Sequence, residues 1–371
     1  MSRKLASVQK IKAIKPIEGA DKIEIVQVLN WDCVAKKGEY QVDDEVIYFE
    51  IDSLLPDIPM LEWLKGSSWS QKLNKYKIST HKFRGQISQG LVMPIKDLEE
   101  LDRQIHNREE CVPIAYTEGT DLTEILNVEK YEPPVSNGSL GDLIHHEWYI
   151  PKTDEERIQV CAADVLPTYM NSEQGDWYSS IKLDGTSCTA GLFDDAFLIG
   201  GRNQFYKDEN MYTTTVNKYF KNGAKEKFEN YKAINGVYVA FQGELCGPGI
   251  QGNKLGLKEK EWFIFNAFVS KTGKNGSYVK CDLLYMLKLC EEFGLKHVPL
   301  IDAEDKFKFD PEETVDNTVE KLLKYVDDIK YRKYFIDASP NQIAEGVVFR
   351  TEDMTHSFKV VSNKFLLKGG E

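Results

Sequence analysis

The spacing of apolar residues divides this chain into a strand-rich beginning and a mixed remainder. Leu5 to Ile14, Lys22 to Leu29, Trp31 to Ala35, Glu45 to Ile51 and Gln86 to Met93 alternate or run apolar, which predicts five strands. Turns are expected at Pro16 to Ala20 and Lys36 to Gly38, where proline and glycine break the pattern. Five short strands in this space suit a small oligonucleotide-binding (OB) barrel. After Pro94 a polar, helical segment leads to Glu132-Pro133-Pro134-Val135-Ser136-Asn137-Gly138-Ser139, a composition that predicts a linker. Further on, helical spacing over Ser277 to Phe293 and Glu312 to Ile329, with Val315, Val319, Leu322 and Val326 on one stripe, predicts two amphipathic packing helices. No internal repeat or low-complexity tract stands out.

The later strands share one property: each presents a charge at or near an end. The aromatic and β-branched run from Asp176 to Ile181 leads into Lys182-Leu183-Asp184-Gly185, where Gly185 would allow a tight reversal that puts Lys182 and Asp184 in one cleft. Val237 to Gly247 carries Glu244 between apolar neighbours, and Trp262 to Phe268 reads as a buried aromatic strand. Glu345-Gly346-Val347-Val348-Phe349-Arg350 opens on an acid and is followed, after a turn, by Ser357 to Lys364, which contains Lys359. Taken alone, Lys182 to Gly185 also fits a β-turn with a solvated lysine, and the aromatics fit plain core.

Together these segments resemble the covalent nucleotidyltransferase superfamily of ATP-dependent nucleic-acid ligases and mRNA capping enzymes. Its lysine, any residue, Asp-Gly motif is matched at Lys182 to Gly185, and its next arginine at Gly201-Arg202-Asn203. An acid after an apolar strand is matched at Glu244, Glu-Gly-Val-Val at Glu345 to Val348, and the last motif at Lys359. The wording Phe-Gln-Gly-Glu-Leu-Cys-Gly-Pro-Gly-Ile-Gln-Gly-Asn is similar to RNA ligases, in particular the Deinococcus and Naegleria type with its extra domain before the catalytic one. Two departures stand out. The last motif often carries a second lysine two positions on, where this chain has Val361, leaving Lys364 as the candidate for that phosphate role. Little chain follows the last motif before Glu371, whereas DNA ligases and capping enzymes continue into a C-terminal OB domain, so the expectation is an RNA ligase.

The resemblance implies three nucleotidyl transfers: lysine attacks the α-phosphate of ATP, AMP passes to a 5′-phosphate, and a 3′-hydroxyl displaces AMP. Lys182 would carry the AMP. A lysine keeps its proton up to about pH 10.4, and bare carboxylates strengthen that hold. Asp184, Glu244 and Glu345 are therefore expected to act through a divalent metal, Mg2+ or Mn2+, that offsets their field. Arg202 and Lys359 suit phosphates, and Ile181, next to the nucleophile, joins the expected nucleotide contacts. Alternation puts Phe263 and Phe265 on one side, and Phe265 is favoured under the adenine. Arg157 fits either an exposed helix charge or, by the resemblance, a contact to the triphosphate.

Composition narrows this picture. A net charge of -12 argues superficially against nucleic acid, yet from Lys65 to Lys96 there is no acidic residue. That stretch holds seven cations, including Lys72, Lys75, Lys77, Lys82 and Arg84, interleaved with Trp69, Tyr76 and Phe83, and these five form the expected nucleic-acid surface. The segment Ile17 to Glu24 also resembles the opening of tRNA-binding barrels. Seven scattered cysteines show no metal-ligand spacing and suit a reducing cytoplasm, while His145-His146 reads as loop. No apolar run reaches membrane-span length, and the start resembles no signal peptide. Gly247-Pro248-Gly249-Ile250-Gln251-Gly252 satisfies a dinucleotide-binding glycine pattern, but no amphipathic helix follows to receive a pyrophosphate.

The expectation is thus an α+β chain: an OB barrel over residues 1–105, a linker over 106–138, and a nucleotidyltransferase domain of antiparallel sheets with flanking helices over 139–371. It would be a cytoplasmic, monomeric ATP-dependent RNA ligase, joining 3′-hydroxyl and 5′-phosphate ends at RNA nicks. The alternatives are a DNA ligase, a guanylyl-transferring capping enzyme, or an RNA-binding module whose transferase domain has decayed.

Overall fold

The computed structural model describes residues 3–131, 144–145, 149–151, 154–170, 177–202, 204–206, 208–220, 223–301, 310 and 312–368. The expected linker core Glu132 to Ser139, His146, Asp176 and Asn203 lie outside them. The chain forms two compact units, Met1–Pro134 and Val135–Phe365.

In the first unit one antiparallel sheet runs in the order Leu91–Pro94, Glu45–Phe49, Ala6–Pro16, Ile23–Val28, Trp31–Lys36. The expected turns are present, with Gly19 and Gly38 at φ of 71° and 75°. The strand expected over Gln86 to Met93 is in fact two. Gly90, at φ 112°, breaks the run, so that Gln86–Gln89 pairs with Thr80–Phe83 as a hairpin while Leu91–Pro94 joins the sheet. The hairpin closes on the edge strand through Ser88, whose hydroxyl accepts from the Val34 amide at 2.9 Å. The expected linker also needs correction. Its described part is folded onto the barrel: the Val8 amide donates to Thr120 O, Leu122, Leu126 and Val128 are core residues, and Glu129–Lys130 pairs with Ser53–Leu55. Those three side chains supply apolar surface that the short barrel strands lack.

The second unit holds two sheets, antiparallel as expected except where the short strand Lys296–His297 pairs in parallel with Glu261–Ser270 in the larger one. The larger runs Ile144–His145, Gln204–Tyr206, Ala196–Gly200, Thr186–Phe193, Tyr238–Cys246, Glu261–Ser270, Val279–Lys280. The smaller runs Leu300–Ile301, Trp177–Lys182, Gly346–Thr351, Ser357–Val361. His145, read as loop, therefore sits in a short strand. The helices Ala224–Asn235 and Leu283–Phe293 cover the larger sheet through Phe228, Met286, Leu289 and Phe293. Ile158–Met170 and Val315–Asp327 join the core that includes Trp177, Val347 and Phe358. Val319, Leu322 and Val326 are buried as their spacing predicts, each contributing roughly 1.5–3 kcal/mol. Both expected helices start later than read, because Asp282 and Thr314 cap them by accepting from the amides of Tyr285 and Asn317.

Candidate active site

Lys182 ends its strand opposite Gly346, where the ladder between Trp177–Lys182 and Gly346–Thr351 stops. Its ammonium donates to Glu345 Oε1 at 2.6 Å. Gly185 brings the third and fourth groups in, though not by the reversal expected of it. It has no positive φ; instead a Cβ there would meet Leu245 O at 2.5 Å, Cys246 Sγ at 2.7 Å and Glu244 Cγ at 2.9 Å. Glycine is required for close approach, and that approach lays Asp184 and Glu244 beside the lysine.

The electrostatics follow from crowding. Burial pushes the Glu244 carboxyl up to about 8, with Lys182 opposing and Glu345 and Asp184 reinforcing the shift. Burial and Glu345 raise Asp184 to about 6, against the pull of Lys254 and Lys182. For Lys182, burial favours the neutral amine, but Glu345, Glu244 and Asp184 outweigh it and hold the ammonium above its ordinary range. The protein alone thus keeps the amine protonated. A hard, oxygen-rich, charge-excessive donor set of this kind fits a divalent cation. Among the described residues no three His, Cys, Asp or Glu side chains are arranged as a preassembled metal cage.

A second cluster lies alongside. Arg157 is buried at 3% exposure, not an exposed helix charge, and bridges in parallel register to Lys359. The Lys359 ammonium donates to Asp154 Oδ1 at 2.8 Å, and Arg202 reaches Asp154 Oδ2 at 3.5 Å. Burial lowers Lys359 to about 8; Asp154 raises it, while Arg157 and Lys182 lower it further. Arg202 also acts on Glu244, so the cationic and acidic clusters share one field. Two cations on one carboxylate, with a third beside Lys359, are an arrangement chemically suited to a polyanion.

Phe263 and Phe265 both belong to the core between the sheets, but they differ in access. Phe263 is buried edge-on against Phe335, with centroids 5.5 Å apart. Between Gln242↔Asn266 and Gly243↔Ile264 the register slips, leaving Phe265 as the extra residue of a bulge and only half-buried. Arg350 donates to Phe265 O at 3.3 Å and is itself held by Glu155 at 2.7 Å, which fixes the bulge from below.

Two expected residues are placed elsewhere. The Ile181 side chain is buried in the core and its amide donates to Pro299 O, so it offers the cleft no side chain. The Lys364 ammonium pairs with Asp328 at 2.8 Å on the surface, and its amide is bound by Asp327, both at the end of the Val315–Asp327 helix. Conversely, Lys254 joins the site although no motif in the sequence marks it. It pairs with Asp184 at 2.5 Å and lies over the Phe365 ring, 4.2 Å from its centroid. The loop just before it is the glycine decoy, with Gly247, Gly249 and Gly252 at positive φ and a 3-10 turn over Gln251–Asn253.

In the first unit the basic stretch is only partly a surface. Trp69 and Tyr76 stack edge-on at 5.0 Å, and Tyr76 is fully buried, so these aromatics are core. Lys75 pairs with Glu129 at 2.5 Å, and Lys77 sits 3.6 Å from the Tyr131 ring centroid. Lys72, Lys82, Phe83 and Arg84 are exposed, the last three at the tip of the Thr80–Gln89 hairpin, where Arg84 donates to Gly19 O at 2.6 Å.

A family model described as RNA ligase matches residues 175–366, and one described as an OB-fold domain matches residues 5–95. Among solved structures, a mutant of Naegleria gruberi RNA ligase with ATP and Mn is 28% identical at a TM-score of 0.78, over 100% of both chains. The same Naegleria enzyme with PPi is 29% identical at a TM-score of 0.77, over 100% of this chain and 99% of that one. The comparison with curated proteins gives no match.

Proposed function

This chain belongs to the RNA ligase family, and from that membership we propose that it joins a 3′-hydroxyl to a 5′-phosphate at the expense of ATP, with Lys182 as the residue that carries AMP. The observation that supports this most is the meeting of Lys182, Asp184, Glu244 and Glu345 beside the Arg157, Arg202 and Lys359 cluster. In this reading the Lys182 amine attacks the α-phosphorus, the bond to the β-phosphate breaks, and pyrophosphate leaves toward the cations. The amine's proton lies on the hydrogen bond to Glu345 Oε1, the acceptor nearest to receive it. Phe265, held by Arg350, offers the adenine a face. A Mg2+ or Mn2+ ion near Asp184, Glu244 and Glu345 would neutralise the acids and polarise the α-phosphate. The AMP then passes to a 5′-phosphate, and the 3′-hydroxyl displaces it.

The substrate would be RNA, or a nick with ribose at the 3′ side, gripped in part by Lys72, Lys82, Phe83 and Arg84 of the first unit. Among the described residues no helix is long and apolar enough to cross a membrane, and the seven cysteines are unpaired, which suits a reducing cytoplasm. The test is incubation with α-labelled ATP and Mn2+, beside Lys182→Ala. Covalent label on the wild type alone is expected, and Lys182→Ala should still seal a pre-adenylylated strand. An unlabelled wild type, with bound AMP excluded, overturns the reading. Identical nicks with ribose or deoxyribose at the 3′ end separate RNA from DNA ligation.

A further inference from the structure

The groups around Lys182 come from chain segments that leave their strand ladder just where position matters most. Backbone pairing ends at Lys182↔Gly346, so neither Asp184 nor Glu345 is held by it. The Ser362 amide donates to Glu345 O at 2.9 Å, but the group that ties all three residues to one another is a phenol. The Tyr331 hydroxyl donates to Lys182 O at 3.0 Å and accepts from the amides of Asp184 at 3.0 Å and Glu345 at 3.2 Å. A hydroxyl has one proton and two lone pairs, and all three are used. The ring is fully buried, wedged edge-on against Phe335 with centroids 6.2 Å apart. Its own backbone is fixed as well: the Tyr331 amide donates to Gln342 O, and its carbonyl accepts from Tyr334 and Phe335.

We propose that Tyr331 is a positioning residue for nucleotidyl transfer, whose hydroxyl staples the backbones of Lys182, Asp184 and Glu345 into one frame. The inference rests on the reading of Lys182 as the nucleophile. The phenol touches none of the reacting atoms; it fixes the span between the strand that ends in the amine and the strand that begins with its acceptor. Misplacement of reacting groups by an ångström can cost about a hundredfold in rate. Loss of the staple should therefore slow the chemical step and leave nucleotide binding almost unchanged, because the phenol makes no contact with Arg157, Arg202 or Lys359, the cations proposed to hold the phosphates.

The experiment is single-turnover labelling of the full chain with α-labelled ATP and Mn2+ across ATP concentrations, for wild type, Tyr331→Phe and Phe335→Leu. Tyr331→Phe should lower the rate at saturating ATP by about 10- to 100-fold while the half-saturating ATP concentration stays within about twofold. Phe335→Leu loosens the same packing without touching the hydroxyl, and should lower the melting temperature while keeping the saturated rate within about twofold. A wild-type rate in Tyr331→Phe, or an equal slowing in Phe335→Leu, overturns the proposal. Amide hydrogen exchange in the wild type gives an arm that needs no variant: free exchange at Asp184 and Glu345 also overturns it. A wild type that takes no label defeats the nucleophile reading itself, a separate result.

Discussion

Lys359 shows how a single side chain can be made conditional. Burial among Arg157 and Lys182, relieved by Asp154, lowers its ammonium to about 8. The sign follows directly: a depressed lysine contributes stability above its ordinary range, and that contribution is lost as pH falls through about 8. An incoming polyphosphate needs the charged form. Its affinity should therefore fall as pH rises past about 8, by at most about tenfold per unit from this group. Arginine stays charged throughout, so Lys359→Arg should flatten the profile. Calorimetric titration of pyrophosphate into both proteins from pH 7 to 9 reads this as the difference between two curves, which cancels the ligand's own titration. Parallel curves would remove Lys359 from the anion site.

At the scale of elements, the strand ends were readable and the joints between them were not. Lys182 closes its strand, Glu244 lies near the end of its own and Glu345 stands just before the next, as the pattern of charges at strand ends predicts, whereas Lys359 sits in the middle of Ser357–Val361. Phe265 was favoured for its face, yet its half-exposure comes from a bulge, which depends on how Gln242 and Gly243 pair with the next strand. Tyr331 lies 149 residues from Lys182 along the chain, and nothing local marks a tyrosine as a staple. Lys254 is hidden likewise among other lysines until the fold sets it against Asp184. The helix Ala224–Asn235 has no wide apolar stripe to announce it, since five of its twelve residues are charged and its buried residues are Ala224 and Phe228. Gly185 was noticed for the wrong reason, and the correct one makes a prediction. In Gly185→Ala the new methyl must push the strand carrying Glu244 away, at a cost on the order of 1–3 kcal/mol. A lowered melting temperature with an even larger loss of Lys182 labelling is expected; full labelling would mean the cleft tolerates the separation.

At the scale of the whole molecule, a net charge of -12 and a nucleic-acid substrate are compatible because charge is sorted rather than averaged. The first unit presents Lys82 and Arg84 exposed at a hairpin tip, while in the second Lys182, Lys254, Lys359 and Arg202 lie against carboxylates. This division predicts a division of labour. A chain lacking residues 1–134 should retain much of its self-labelling with ATP and lose most of its sealing of nicked duplexes; equal loss in both assays would count against it. The carboxylate of Asp154, set between Lys359 and Arg202, has a consequence for the direction of the reaction. It is an anion tethered at high effective concentration where a polyphosphate tail would rest. On the proposed reading a departing pyrophosphate would meet a resident competitor for its seat, and Asp154 would help to expel it.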